Sequence, residues 1–291
     1  MVPSQPPASG DEEPAPPADK PGSVAAMRLA VLQVDAFTDR PLTGNPAAVI
    51  ELARWPDDAL LQAIAREMNL SETAYVIPRD DGFALRWFTP AREVELCGHA
   101  TLASAHALWE LGRTPLAEPV RFHTRYHGEL PCIREPSGAI TLDFPAIRPT
   151  PTTAVGLAEA LGVRPIAVFK SRYDLIAELE DASQVRALAP DFSAIARLEA
   201  RGVAVTARGD HDGVDIVSRF FVPKFDINED PVTGSAHCSL VPYWAGRLHL
   251  DSLRARQISA RGGQLACVYR DGRVFMSGRA VTFMRGAVVA W

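Results

Sequence analysis

From Arg28 onward the apolar positions fall in short alternating or β-branched runs, a pattern that predicts strands rather than helices. Leu29–Phe37, Ala84–Phe88, Val120–Thr124, Ala139–Phe144, Gly202–Thr206, Val214–Phe221 and Arg273–Ser277 are each bounded by Gly, Pro or Asp. Three stretches follow a helical period instead. Over Asp57–Asn69, residues Leu60, Leu61, Ile64, Ala65 and Met68 form one apolar stripe, and Asp57 or Asp58 can cap the helix. Ala100–Leu111 is helical and ends at Gly112. Ser235–Ala245 is expected to end at Gly246, with Pro242 kinking or shortening its last turns.

Part of this pattern occurs twice. Arg86-Trp-Phe-Thr-Pro90 is matched by Arg219-Phe-Phe-Val-Pro223. Each is followed by a Glu-containing loop and then a glycine that opens a helix, Gly98 in the first half and Gly234 in the second. Both helices then carry a tryptophan, Trp109 or Trp244, shortly before a Gly-Arg pair. A strand, a polar loop and a Gly-led helix repeated in this order imply two similar domains related by pseudo-symmetry. A helix N-terminus offers free N–H groups and a positive dipole end, and glycine lets a ligand approach them. Two such ends facing each other would make a cleft for a carboxylate or an enolate.

Residues 1–26 stand outside this scheme. Seven of the first 22 are proline and large apolar residues are nearly absent, which predicts a disordered tail. The rest of the 291 residues, 47% hydrophobic, is enough for a real core. A net charge of -5 argues against nucleic-acid or membrane-surface partners. The four cysteines (Cys97, Cys132, Cys238, Cys267) include no CxxC, which reads as reduced thiols in the cytoplasm. No apolar run reaches the ~18–20 residues of a membrane span. His123 and His127 have HxxxH spacing, but on and after a strand it does not bring both rings to one face, so no metal is expected. No nucleotide-binding glycine pattern is present, and Arg261-Gly-Gly-Gln264 reads as a strand-linking turn.

Six collinear motifs resemble the phenazine-biosynthesis-like isomerase family of the diaminopimelate epimerase-like superfamily. They are Asp35-Ala-Phe-Thr, Gly44-Asn-Pro-Ala-Ala-Val49, Glu67-Met-Asn-Leu-Ser-Glu72-Thr, Arg86-Trp-Phe-Thr-Pro90, Cys97-Gly-His-Ala-Thr101 and Glu229-Asp-Pro-Val-Thr-Gly-Ser-Ala236. The resemblance runs from about residue 28 to the end, and the wording of the motifs looks closest to the animal-type members. It implies an α+β, diaminopimelate epimerase-like fold: two antiparallel sheets, each curled around a central helix, with the site between them. The expected domains are 27–145, completed by a returning strand at about 280–291, and 146–279. A homodimer, a small carboxylate substrate and no cofactor are also implied.

The resemblance then assigns roles that the residues alone leave open. Glu72 on its own reads first as a solvated loop residue; by resemblance it is the proton-transferring carboxylate, a role open to a Glu whose burial brings its pKa from ~4.3 toward neutrality. His99 is either a locally satisfied helix-start histidine or, by resemblance, the group that polarises the substrate. Asp230 is a loop carboxylate or a substrate contact that pairs with His99. Ser235 reads as an N-cap, and by resemblance also lies near the substrate. Gly98 and Gly234 give close backbone approach, and Asn45 reads as a turn residue that in epimerase relatives lies near the substrate. Cys97 matches the first of the two epimerase thiols, but Thr233 stands where the second belongs. A two-thiol racemase is therefore disfavoured, and Cys97 is expected to be a small buried residue of the site wall. Two competing readings are a catalytically silent interaction module and an epimerase using Glu72 with Cys97.

Overall fold

The structure is a computed structural model and describes residues 27–290; the segment 1–26, expected to be disordered, lies outside the described residues. Two like series of strands build it. In the first, Met27–Ala36, Asn45–Glu51, Glu72–Arg79, Gly82–Phe88, Val120–Thr124, Gly128–Arg134 and Ile140–Pro145 pair in that order. In the second the order is Ala167–Lys170, Leu175–Glu178, Val203–Arg208, Ile216–Val222, Ser252–Gln257, Gly263–Arg270 and Arg273–Gly278. The second and third strands of each series are parallel, as are the fourth and fifth, and every other pairing is antiparallel. The expected α+β architecture is thus present, with two parallel pairings in each otherwise antiparallel series. Parallel neighbours need a crossover, and helices supply it.

Six helices are described: α1 (Asp58–Met68), α2 (Gly98–Glu110), α3 (Leu157–Leu161), α4 (Ala182–Ala187), α5 (Phe192–Arg197) and α6 (Gly234–Leu248). Helix α1 crosses between the second and third strands of the first series, and α4 with α5 between those of the second. Helices α2 and α6 cross between the fourth and fifth. Strand Ile140–Pro145 pairs with Arg273–Gly278 and joins the two series, and Ala280–Ala290 returns to pair with Met27–Ala36.

The sequence explains why α2 is central. Small residues fill nearly all of Gly98–Ala107, so every residue from Gly98 to Trp109 except His106 is buried. A helix apolar all round belongs inside. By contrast α1 buries only Leu61, Ile64 and Ala65 on its stripe. Asp57 does occupy its N-cap, but its side chain makes no capping bond, and the Asp58 carboxylate instead accepts from Arg86 Nη1 at 2.8 Å.

Helix α6 departs from expectation at its C-terminal end. It begins at Gly234 and runs through Gly246 to Leu248, closing on His249 in the left-handed region. Pro242 neither shortens nor ends it. A proline there removes the donor for the Cys238 carbonyl, and the backbone N–H of Ile147 replaces it at 2.9 Å.

The two central helices meet end to end. A Cβ placed on Gly98 would lie 3.3 Å from the Gly234 Cα, and one on Gly234 equally close to the Gly98 Cα. Both neighbours are backbone, which cannot swing aside. Gly98→Ala or Gly234→Ala should therefore lower stability by about 1–3 kcal/mol, seen as a lower urea midpoint with an unchanged slope.

Candidate active site

The helix junction forms the floor of a cavity of about 360 Å³ whose walls come from both series. Glu72, Cys97, Gly98, His99, Asp230, Gly234 and Ser235 all line it. Strand geometry puts them there. Glu72 opens the third strand of the first series, opposite Ala47, and α2 starts directly after Cys97. Asp230 ends the short strand Ile227–Asp230, which pairs with Ile216–Val222.

The repeated arginines hold the short strands. Arg86 binds Glu93 through Nε and Nη2, both at 2.7 Å, and Arg219 binds Glu229 at 2.7 and 2.8 Å. These are bidentate, charge-assisted pairs on half-buried side chains. Glu93 is thus the structural counterpart of Glu229. The clasp places Asp230 one residue beyond Glu229, facing the cavity.

His99 is the centre of the polar network and is 3% exposed. Its Nε2 lies 3.0 Å from Glu72 Oε2, but the N–H does not point along that line, so neither atom has a directed partner. Its Nδ1 faces Asn45 Nδ2 at 3.1 Å and Cys97 Sγ at 3.5 Å. Asn45 Nδ2 donates to Asp230 Oδ1 at 2.8 Å and to the Val232 carbonyl at 2.9 Å, which uses both its hydrogens. The Thr233 hydroxyl also donates to Asp230.

Burial alone would pull His99 down, yet its pKa stands well above the ordinary value because Cys97 and Glu72 favour the imidazolium. Burial, with the Glu72 charge beside it, pushes the Cys97 thiol up to about 11. The thiol is therefore neutral near pH 7, and the attraction that charges His99 comes from the Glu72 carboxylate. Asp230 is pushed up to about 6, mainly by burial and further by Glu72, against the opposing pull of His99 and of its two hydrogen bonds.

Two expectations are corrected. Asn45 is fully buried and does not line the cavity; it sits behind the wall, its amide nitrogen against His99 Nδ1 and its hydrogens on Asp230 and the Val232 carbonyl, between His99 and Asp230. Ser235 is not the N-cap of α6. Thr233 holds that position, and Ser235 Oγ accepts from Arg201 Nη2 at 3.0 Å. Arg201, Tyr173 and His127 also line the cavity and went unassigned in the sequence, where no motif marks them. His127 keeps a buried Nε2 without a partner.

The donor atoms of Glu72, Cys97 and His99 lie within 4.8 Å of one another. They do not suit one ion. Cys97 faces Nδ1 and Glu72 faces Nε2, so an ion on either nitrogen leaves the other ligand across the ring.

Residues 34–286 match the family model for phenazine biosynthesis-like protein. The chain belongs to the phenazine biosynthesis-like family. An uncharacterised isomerase of Pseudomonas aeruginosa is 52% identical over 90% of this chain and 99% of its own length. The mouse phenazine biosynthesis-like domain-containing protein 2 is 39% identical over 91% of this chain and its whole length. Identity to the bacterial relative is the higher, which corrects the animal leaning read from the motifs. The crystal structure of a family member from Enterococcus faecalis superposes with a TM-score of 0.84, at 43% identity over 90% of this chain and 99% of that one. A probable proline racemase from Agrobacterium radiobacter shares the fold, with a TM-score of 0.63 at 14% identity. The protein is an isomerase of this family. Among the described residues no helix is long and apolar enough to cross a membrane.

Asp230 generates a pH prediction. Its folded pKa lies above the unfolded value, so the native state keeps a proton that the unfolded chain releases. Stability is lost as pH rises through the window from about 4 to about 6. Asp230→Asn removes that penalty, and its melting temperature relative to wild type should be higher at pH 8 than at pH 4.

Proposed function

We propose that the protein is a cofactor-independent isomerase that moves a proton between carbon atoms of a small amino- or hydroxy-carboxylate, with Glu72 as acid and base. The observation that carries this reading is the Glu72–His99 pair, whose facing atoms are buried, 3.0 Å apart and without directed partners, at the cavity floor. Glu72 takes a proton from carbon beside a carbonyl or an extended π-system. His99, held cationic, donates to the oxygen on which charge develops, and the N–H groups at the starts of α2 and α6 face the same space. The carboxyl of Glu72 then returns the proton to another carbon.

A reaction centred on Glu72 fits the second half of the molecule, which carries no counterpart of either Cys97 or Glu72. Thr233 occupies the N-cap of α6 where Cys97 occupies that of α2. The position corresponding to Glu72 is Gly202, since Thr73 pairs with Phe88 as Val203 pairs with Phe221. The reading of Cys97 as a second base is not favoured either, because its thiol stays protonated.

Incubation in deuterated water with dihydro-hydroxyanthranilate and with a deproteinised metabolite extract tests the proposal by mass spectrometry. Wild type should place deuterium on carbon, and Glu72→Gln should slow this at least about 100-fold. Cys97→Ser should leave the rate within a few-fold. Equal labelling by Glu72→Gln and wild type would sink the role given to Glu72.

A further inference from the structure

The internal symmetry shows that the two halves bring different chemistry to equivalent places. Glu72 opens its strand in the first half; the equivalent residue in the second, Gly202, has no room for a side chain. A Cβ there would lie 2.7 Å from both the Phe220 ring and the Phe221 carbonyl oxygen. One residue earlier stands Arg201, and its guanidinium reaches the cavity that Glu72 lines from the other half.

Arg201 is built into place. Its Nε and Nη2 bind the two oxygens of Asp174 at 2.8 and 2.6 Å, and Asp174 is 3% exposed. Its own backbone N–H donates to the Tyr173 carbonyl at 2.8 Å. The guanidinium carbon stands 5.3 Å from the Tyr173 ring centre and 5.5 Å from that of Phe220. The Nη2 contact to Ser235 Oγ ties it to the first turn of α6. Nη1 has no hydrogen-bond partner among the described residues, although three-quarters of the side chain is shielded from solvent. A cation needing only stability would be satisfied by Asp174; this one keeps two N–H groups beside a helix N-terminus in a cavity wall.

We propose that Arg201, oriented by Asp174 and Ser235, is the specificity-determining anion subsite of this cavity and holds the substrate's carboxylate, so that the reacting carbons face Glu72 and His99. The inference rests on the isomerase reading for what the anion is, but binding tests it without turnover. A substrate carboxylate can accept a charge-assisted bond from the free Nη1, and the flanking Tyr173 and Phe220 rings suit an unsaturated or cyclic body. The subsite therefore selects small ring or conjugated carboxylates over their amides.

The test uses 4-fluorobenzoate and 4-fluorobenzamide as probes, with binding followed by fluorine NMR on the full chain. Wild type should bind the carboxylate at least about tenfold more tightly than the amide, as expected for a charge-assisted pair. Arg201→Met should remove that preference. Because it strands Asp174 without a partner, the double variant Asp174→Asn with Arg201→Met is measured beside it, and Arg201→Lys should retain part of the preference. A carboxylate preference that survives in the double variant, or is absent from wild type, overturns the proposal. Failure of deuterium incorporation with the preference intact would strike the isomerase reading alone.

Discussion

Contact between the backbones of Gly98 and Gly234 is the constraint on which the rest depends. It brings two helix N-termini together, and with them two positive dipole ends and a set of N–H groups that no helix can satisfy. Such a junction is unfavourable unless negative charge lies near it. Glu72 and Asp230 supply that charge, one from each half, and the two bidentate arginine pairs hold the strands that frame the junction. Two carboxylates converging in a buried space raise a second problem, which His99 answers between them. The cationic ring, the neutral Asn45 amide and the Thr233 hydroxyl each relieve one side of the cluster. The facing atoms of Glu72 and His99 still lack directed partners, as do Asn45 Oδ1 and, elsewhere in the cavity wall, His127 Nε2.

Symmetry in the frame does not extend to the chemistry. The same order of pairings, the same arginine clasps and the same glycine-led helices occur twice. Where the first half carries Cys97 and Glu72, the second carries Thr233 and Gly202. With no counterpart of Cys97 or Glu72 there, these positions of the second half are available for holding the substrate. Ser235 and Arg201 then occupy the side of the cavity that faces Glu72 and His99, and Phe220 closes against Gly202 where a second carboxylate would stand.

What the sequence revealed was what local pattern encodes. The repeat, the strands around Arg86 and Arg219, the glycine-led helices and the cavity-lining motif residues were all legible, because each is written in consecutive residues. What stayed hidden depends on partners distant in the chain. Pro242 read as a helix breaker since nothing nearby says that Ile147 donates to the Cys238 carbonyl. Asn45 read as a turn residue because its partners His99, Asp230 and Val232 come from two other segments. Ser235 read as an N-cap because Arg201, which claims its hydroxyl, belongs to no motif. Aligning the two halves strand by strand would have pointed to Arg201 as the neighbour of the Glu72 equivalent. That alignment needs the pairing register, which the motif spacing of 8 residues from Pro90 to Gly98 against 11 from Pro223 to Gly234 obscures.

The neutral amide of Asn45 has a consequence for how charge is distributed. An aspartate at that place would add a third carboxylate to a cluster that already pushes Asp230 up to about 6. A histidine would compete with His99 for the Glu72 charge. The amide instead donates to Asp230 without titrating, so the charge states of His99 and Asp230 are coupled through space while their positions are fixed by a group that cannot change. An anion settling near Arg201 would raise Asp230 further, since a like charge disfavours the carboxylate.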